Sequence, residues 1–241
     1  MDYLLTEEQV MIRDLARKVA LERVLPKRLE WDEAGEFPWE AMKAFSAADL
    51  CGLYVPEEYG GMGVSVLNFC LATEEISRIC GGVGVTFAAS ALGSTPILLF
   101  GTEEQKKKYM PDIAAGKKLA AFGLTEANAG SDAAGIETTA LKQGDYYVIN
   151  GTKQWITNAG EAEVYSVIAM TDKSKGPRGA SAFIVEKGTP GFTFGKKENK
   201  MGIRCSSTCE LIFQDCKVHK SQLLAKEGFG FIIVIVSWRM L

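Results

Sequence analysis

Hydroxyl-bearing and small residues are concentrated in the stretch Phe-Gly-Leu-Thr-Glu-Ala-Asn-Ala-Gly-Ser at residues 122–131, which Asp132 follows. An apolar run at residues 119–124 leads into this stretch and is typical of a β-strand. The small residues allow backbone amides to approach a ligand closely. The stretch therefore suits a flat cofactor with polar edges.

A second segment, Trp155-Ile156-Thr157-Asn158, combines an aromatic face, an apolar side chain and a hydroxyl donor. An aromatic ring can cover a planar ligand, and a fixed hydroxyl can hydrogen-bond to its polar edge. We expect the two segments to form the walls of one site.

The composition is that of an ordinary soluble globular protein. Of the 241 residues, 47% are hydrophobic and 24% are charged, and the net charge is −3. This mixed charge lacks the basic patch that nucleic-acid binding requires, and we expect no apolar run of eighteen residues that would cross a membrane. The N-terminus has neither the features of a secretion signal nor those of a transit peptide. We expect a cytoplasmic protein, or a processed protein of the mitochondrial matrix.

Two different patterns divide the sequence. Capping boxes at Thr6 and Thr102, a capping serine at Ser65 and a helix-starting proline at Pro38 predict helices in the first part. Pro26 interrupts the first helical pattern. Later, β-branched and aromatic runs alternate with Gly, Asp and Asn, which predicts strands at residues 119–124, 136–141, 146–149, 164–170, 182–185 and 208–213.

These patterns predict an α+β protein with several domains. We expect an N-terminal all-helical domain at residues 1–118, an antiparallel β-barrel-like domain at 119–225, and the start of a C-terminal helix at 226–241. The last segment contains the apolar run 231–236. We expect this run to pack against another part of the protein, because it is too short for a membrane helix.

A metal site and a hydrolase site have weaker support in the sequence than a site for a planar cofactor. Cys205, Cys209, Cys216 and His219 are four potential zinc ligands, but they lack the Cys-x2-Cys spacing of a zinc knuckle. The six cysteines are expected to be reduced thiols. His219 is the only histidine, and no Gly-x-Ser-x-Gly elbow accompanies it. The spacing of the cysteines therefore predicts no metal site. Rossmann and P-loop motifs are also absent, so we predict neither of these nucleotide-binding folds.

Five motifs in a fixed order resemble the acyl-CoA dehydrogenase family. They lie at residues 56–63, 101–109, 124–132, 155–158 and 200–204, and the similarity runs from Thr6 to about Phe229. The resemblance implies a helical domain, a middle β domain and a C-terminal helical domain, with bound FAD. It also implies an acyl-CoA substrate that gains an α,β double bond, an electron-transferring flavoprotein as electron acceptor, and a homotetramer or homodimer.

The resemblance also assigns site residues. By the family motifs, the flavin would be bound by Phe122, Gly123, Leu124, Thr125, Gly130, Ser131, Trp155, Ile156 and Thr157. Within this set, Thr157 would lie near flavin N5 and Thr125 near the pyrimidine edge. Ser131 would also contact the pantetheine arm of the substrate. Trp155 would shield the flavin on the side of the electron-transferring flavoprotein.

Some positions depart from the family pattern. Ala127 replaces a proline, and Val218-His219 replaces a Val-Pro. The family's C-terminal helical domain, which would carry the catalytic base, is not among the 241 residues. We therefore name no catalytic residue.

Three functions remain open: an FAD-dependent acyl-CoA dehydrogenase, a non-catalytic flavin- or CoA-ester-binding remnant that acts as an assembly partner, and a zinc-bearing β module. For the first function, the small residues at 83–92 could admit short, branched or cyclic acyl groups, and we favour a short chain.

Overall fold

The structure is a computed structural model that describes residues 4–240, with side chains up to residue 239. The chain divides into two compact units. Unit 1 comprises Met1–Ala88, Pro111–Lys117 and Asn199–Ser206, and unit 2 comprises Ala89–Met110, Lys118–Glu198 and Ser207–Leu241.

The helices of the first part are α1 (Glu7–Val19), α2 (Arg28–Ala34), α3 (Trp39–Ala47), α4 (Val66–Ile79), α5 (Gly81–Phe100) and α6 (Glu103–Ala114). Thr6 caps α1 with the predicted reciprocal bonds, from Gln9 N to Thr6 Oγ1 at 3.2 Å and from Thr6 N to Gln9 Oε1 at 3.0 Å. Thr102 and Gln105 form the same arrangement before α6. Local capping chemistry thus fixes the starts of these helices.

Helix α2 was not predicted from the sequence. We expected the helical pattern to stop at Pro26, and a π-helical turn at Ala20–Val24 does precede it. The chain then re-enters a helix at Arg28, and Trp31 is the residue that α2 buries. A single large aromatic residue can hold a short helix by packing, although the segment is too short for a clear apolar period.

Helix α5 corrects a second expectation. It has 20 residues, and an 18-residue window with a mean hydropathy of 1.7 is apolar enough to cross a membrane by length and composition. We expected no such segment because Gly, Ser and Thr interrupt the run of apolar residues. These residues lower the mean hydropathy of the window only slightly. Within the protein, 61% of the window is buried, which is the pattern of a core helix.

Unit 2 is built on an eight-stranded sheet. Its strands are β1 (Ala120–Gly123), β2 (Thr139–Gln143), β3 (Tyr146–Thr157), β4 (Val164–Met170), β5 (Ala180–Glu186), β6 (Phe192–Phe194), β7 (Thr208–His219) and β8 (Leu223–Leu224). The order is β6-β7-β3-β2-β4-β5-β8, and β1 also pairs with β4. Every residue of β4 is buried, so the core of this unit lies against that strand.

The sheet is mixed, whereas we expected antiparallel strands. Strand β1 pairs with β4 in parallel, and Thr139 of β2 pairs with Met170 of β4 in parallel. The reason is the connection: the β2–β3 hairpin lies between β1 and β4 in the sequence, so β1 returns to its neighbour by a crossover. A crossover of this length leaves no signal in the residue pattern of either strand.

The chain ends in helix α7 (Gly230–Met240). Ile233 and Val234 are buried, which agrees with the expected packing of the apolar run, while Ile232 and Ile235 remain exposed. A Cβ at Gly230 would lie 2.7 Å from Ser181 N. Close backbone approach therefore requires glycine where α7 meets β5.

Gly93 has a similar role between α5 and β1. A Cβ at Gly93 would lie 2.4 Å from Ala121 N, and Gly93 O accepts a hydrogen bond from Ser166 Oγ at 2.7 Å.

We expect Gly93→Ala to lower the free energy of unfolding of unit 2 by about 1 to 3 kcal/mol, as overpacking does. Urea unfolding measures the change. Gly81→Ala is the control, because its Cβ would meet nothing within 4 Å; an equal loss in both variants would contradict the packing argument.

Candidate functional site

The first predicted segment leaves β1 as a tight turn. Glu126 N donates to Ala129 O, and Ala129 N donates to Glu126 O, both at 3.1 Å. Ala127 and Asn128 lie exposed at the tip of this turn. Two backbone bonds therefore close the turn, although Ala127 stands where the resemblance implies a proline.

The turn is attached to the strand that carries the second segment. Gln154 N, on β3, donates to Thr125 O at 2.8 Å. The preceding side chain, Lys153, is fully buried, and its Nζ donates to Leu124 O at 3.1 Å and to Glu126 Oε1 at 2.6 Å. Residues 124–126 are thus bonded to β3 immediately before Trp155. The structure brings the two predicted segments together, as the sequence analysis expects.

Lys153 and Glu126 form a buried ion pair. Glu126 also accepts hydrogen bonds from Glu137 N at 2.6 Å and from Thr138 N at 3.1 Å. Burial alone would raise the pKa of Glu126, but the charge of Lys153 and these hydrogen bonds lower it. Burial lowers the pKa of Lys153 to about 8, although Glu126 opposes the shift. Both groups are therefore charged at pH 7, and the Glu126 carboxylate is committed to holding the turn.

A β-bulge presents Trp155. Lys153 pairs with Leu211 and Ile156 with Cys209, so β3 has one more residue than β7 between these pairs. Trp155 takes a left-handed backbone conformation there, with φ 57°, which is uncommon for a bulky side chain. Its side chain is 57% exposed, whereas Ile156 is buried. The bulge thus gives the surface a large aromatic group in a strained backbone, which is a common feature of binding sites.

This arrangement also corrects the expected local structure. We expected Trp155, Ile156 and Thr157 to lie in a loop after a strand at residues 146–149. Strand β3 instead continues to Thr157. A strand supports the segment by cross-strand pairing, for example of Thr157 with Thr208, so its position is more firmly fixed than a loop would allow.

Two hydroxyl groups at the site are uncommitted. The side chains of Thr125 and Thr157 are half-buried, and neither makes a hydrogen bond to another residue that the structure describes. Gly130 and Ser131 are exposed, and a Cβ at Gly130 would meet nothing within 4 Å. The surface beside β3 therefore offers donors and free space to a ligand.

The remaining predicted residues lie behind this surface. Leu124 and Ile156 are buried, and Phe122 is half-buried in β1. A Cβ at Gly123 would lie 3.0 Å from Leu211 Cδ1, inside the unit. Contacts of the buried side chains with a cofactor remain predictions, but their packing fixes the backbone from which the exposed residues project.

Sequence reasoning missed the contributions of Lys153 and Gln154. Their positions directly before Trp155 were visible, but a lysine in a strand is usually assigned to the solvent face. The only available signal was the acidic partner in the upstream Thr125-Glu126 pair. Nothing in that spacing shows that the two charges are buried together.

Metal ligands do not cluster in the part of the chain that the structure describes. No group of three or more His, Cys, Asp or Glu side chains there is arranged to hold a metal ion. Cys209 and Cys216 are buried free thiols of β7, and His219 is exposed at its end. The histidine hydrogen-bonds to Ser221 Oγ at 2.9 Å, so it takes part in a local turn.

Two family profiles match the chain. The profile for the acyl-CoA dehydrogenase N-terminal domain matches residues 6–117, and the profile for the middle domain matches residues 121–216. The chain belongs to the acyl-CoA dehydrogenase family. The resemblance inferred from the five motifs is thereby confirmed, and both site segments lie within the middle-domain match.

Similar acyl-CoA dehydrogenases include the short-chain specific enzyme of Clostridium acetobutylicum. It is 46% identical over 236 residues, which cover 98% of this chain and 62% of the relative. The chain thus spans less than two thirds of the length of this relative.

Solved structures share the fold. A solved structure of the electron transferring flavoprotein of Acidaminococcus fermentans has a TM-score of 0.97 and 51% identity, over 100% of this chain and 63% of that one. The acyl-CoA dehydrogenase of Bacillus anthracis complexed with FAD has a TM-score of 0.91 and 43% identity, over 98% of this chain and 40% of that one. The predicted class, helices followed by a barrel-like sheet unit and a final helix, is confirmed.

Proposed function

We propose that this chain forms the flavin-binding part of an FAD-dependent acyl-CoA dehydrogenase, which introduces an α,β double bond into an acyl-CoA thioester. The bulge of β3 carries the proposal. It exposes the Trp155 ring beside two uncommitted hydroxyls, those of Thr125 and Thr157. The FAD complex of the Bacillus anthracis relative supports the same cofactor here.

The residues fit an isoalloxazine ring in three respects. Trp155 supplies an exposed aromatic face. Thr125 and Thr157 supply hydroxyl donors with no partner among the described residues. The open space at Gly130 leaves room for a ligand next to the turn. A planar ring with a polar edge requires this combination of face, donors and room.

In the reaction, bound FAD would supply the two-electron acceptor. The chain's own residues prepare the place for it. Lys153 and Gln154 hold the turn that carries Thr125, while pairing with β7 holds Thr157. Donors that are fixed before the ligand arrives stabilise developing charge without reorganising. Glu126 is not available to remove the substrate α-proton, because Lys153 and two backbone amides already occupy its carboxylate.

Two similar proteins support the proposed substrate and electron acceptor. The short-chain specific relative from Clostridium acetobutylicum supports a short-chain acyl-CoA as substrate. The similar structure from the electron transferring flavoprotein of Acidaminococcus fermentans supports such a flavoprotein as the electron acceptor. We further propose a homo-oligomer, which the family resemblance implies.

The test is flavin binding by the purified protein. We expect FAD to bind with shifted visible absorption bands. In protein that also carries the family's C-terminal helical domain, we expect butyryl-CoA to bleach these bands more strongly than palmitoyl-CoA does. We expect the variant Thr125→Ala with Thr157→Ala to bind FAD roughly tenfold to a hundredfold more weakly, because each lost hydrogen bond contributes about 1 kcal/mol.

Thr193→Ala is the matched control, since Thr193 is an exposed threonine of β6 in the same unit. It should leave the dissociation constant of FAD unchanged. A protein that does not bind FAD at saturating concentration overturns the proposal. Bound FAD whose bands no acyl-CoA bleaches would instead favour the non-catalytic binding remnant.

A further inference from the structure

Two cysteines lie at the first turn of α5, within unit 1. Cys80 directly precedes α5, and its carbonyl accepts a hydrogen bond from Gly84 N at 3.0 Å, as the residue before a helix does. Cys205 is fully buried, and a Cβ at Gly82 would lie 2.4 Å from Cys205 Sγ. The sulfur of Cys205 thus occupies the space that a side chain at position 82 would need.

The same turn of α5 stabilises the thiolate of Cys80. The backbone N–H groups of Gly82 and Val83 and the thiol of Cys205 all favour the charged form of this sulfur. We propose that Cys80 and Cys205 form a peroxide-reactive thiol pair that closes to a disulfide. Cys80 is the attacking sulfur, because it is half-buried whereas Cys205 is inaccessible to solvent.

The surroundings favour this division of roles. The thiol of Cys205 and the two backbone amides lower the pKa of Cys80 to about 6, although burial opposes them. The hydrogen bond with Cys80, together with burial, raises the pKa of Cys205. Among charged groups, the Asp32 carboxylate opposes thiolate formation at both sulfurs. Its charge is partly offset by hydrogen bonds from the backbone N–H groups of Arg204 and Cys205.

The chemistry balances with hydrogen peroxide as the oxidant. The Cys80 thiolate attacks one peroxide oxygen, the O–O bond breaks, and hydroxide leaves, which gives a sulfenic acid. The sulfur of Cys205 then attacks Cys80 Sγ and expels the sulfenic oxygen, which takes up the Cys205 thiol proton and leaves as water. Overall, two thiols lose two hydrogen atoms and one peroxide becomes two waters.

The experiment treats the full chain with hydrogen peroxide, blocks the remaining thiols and maps the peptides by mass spectrometry. We expect a Cys80–Cys205 disulfide that has lost two hydrogen atoms. In Cys205→Ser, dimedone should instead trap a sulfenic acid on Cys80, and in Cys80→Ser no disulfide should form at Cys205. The alkylation rate of Cys80 should reach half of its plateau near pH 6 in the parent protein and at higher pH in Cys205→Ala, because alanine removes the hydrogen-bond donor whereas serine keeps one.

Cys70→Ser is the matched control, because Cys70 is an exposed thiol on α4. It should leave the Cys80–Cys205 disulfide unchanged. The proposal is overturned if peroxide links either sulfur to a different cysteine, or if Cys205→Ser yields no dimedone adduct on Cys80. The dimedone result does not depend on disulfide closure, so it tests the reactive thiol separately from the pair.

Discussion

Replacing Lys153 with methionine should lower the free energy of unfolding of unit 2 by about 3 to 5 kcal/mol, the usual cost of removing one partner from a buried ion pair. Methionine keeps the length of the side chain, but it leaves the Glu126 carboxylate with no cation and Leu124 O with no donor. Urea unfolding monitored by circular dichroism measures the change. The matched control is Lys217→Met, on β7, where the lysine is exposed; its effect should stay within about 0.5 kcal/mol.

The pH dependence of this loss identifies its cause. In the parent protein, the folded-state pKa of Glu126 is lowered, so its contribution is present above the unfolded pKa of about 4.3 and is lost as the pH falls through the folded pKa. In Lys153→Met the uncompensated carboxylate can protonate at higher pH. The difference in free energy of unfolding between parent and variant should therefore be largest near pH 7 and become smaller at acidic pH. If this difference in free energy does not change with pH, lost packing and not the unpaired charge causes the destabilisation.

Adding Glu126→Gln gives a second check of the same cause. The amide oxygen can still accept hydrogen bonds from Glu137 N and Thr138 N, and no buried charge is left. The variant with both Lys153→Met and Glu126→Gln should be more stable than Lys153→Met alone, because contacting residues have non-additive effects. If the second change instead adds its full cost to the first, the two side chains do not act as a pair.

Capping and periodicity predicted much of this fold because they are local. The reciprocal bonds of Thr6 with Gln9 and of Thr102 with Gln105 involve residues only three positions apart, so the sequence contains the complete interaction. Helix α2 and the parallel pairing of β1 with β4 depend on distant packing. Neither leaves a periodic signal in its own segment.

The site divides in the same way. The residue types of Thr125, Trp155 and Thr157 predict a polar, aromatic surface for a planar ligand, and the structure joins their segments. The parts that hold them together escaped prediction. The bulge exists because Lys153 and Ile156 both keep their pairing with β7, and register is a property of two strands. The burial of Lys153 likewise depends on a carboxylate from another segment, 27 residues away in sequence.

The bulge leads to the second large effect, on ligand binding. We expect Trp155→Gly to weaken FAD binding by about 1 to 3 kcal/mol, the range for loss of an aromatic stacking partner, which is roughly fivefold to 150-fold in the dissociation constant. Fluorescence titration with FAD measures it. Trp238→Ala is the control, because Trp238 of α7 has the same 57% exposure as Trp155 and lies outside the predicted flavin residues. Equal weakening in both variants would contradict the assignment.

Replacing Trp155 with glycine should weaken FAD binding without lowering the free energy of unfolding. Trp155 has a φ of 57°, which glycine adopts without strain and which costs other residues about 1 to 2 kcal/mol. Trp155→Gly should therefore unfold at the same or a higher urea concentration than the parent, whereas Trp155→Ala keeps the strain and should be less stable than the glycine variant. Both variants lose the ring, so both should bind FAD weakly. If FAD affinity rises and falls with the free energy of unfolding across these variants, the bulge serves folding alone. If FAD affinity falls while the free energy of unfolding is kept, the strained backbone is retained to present the Trp155 ring.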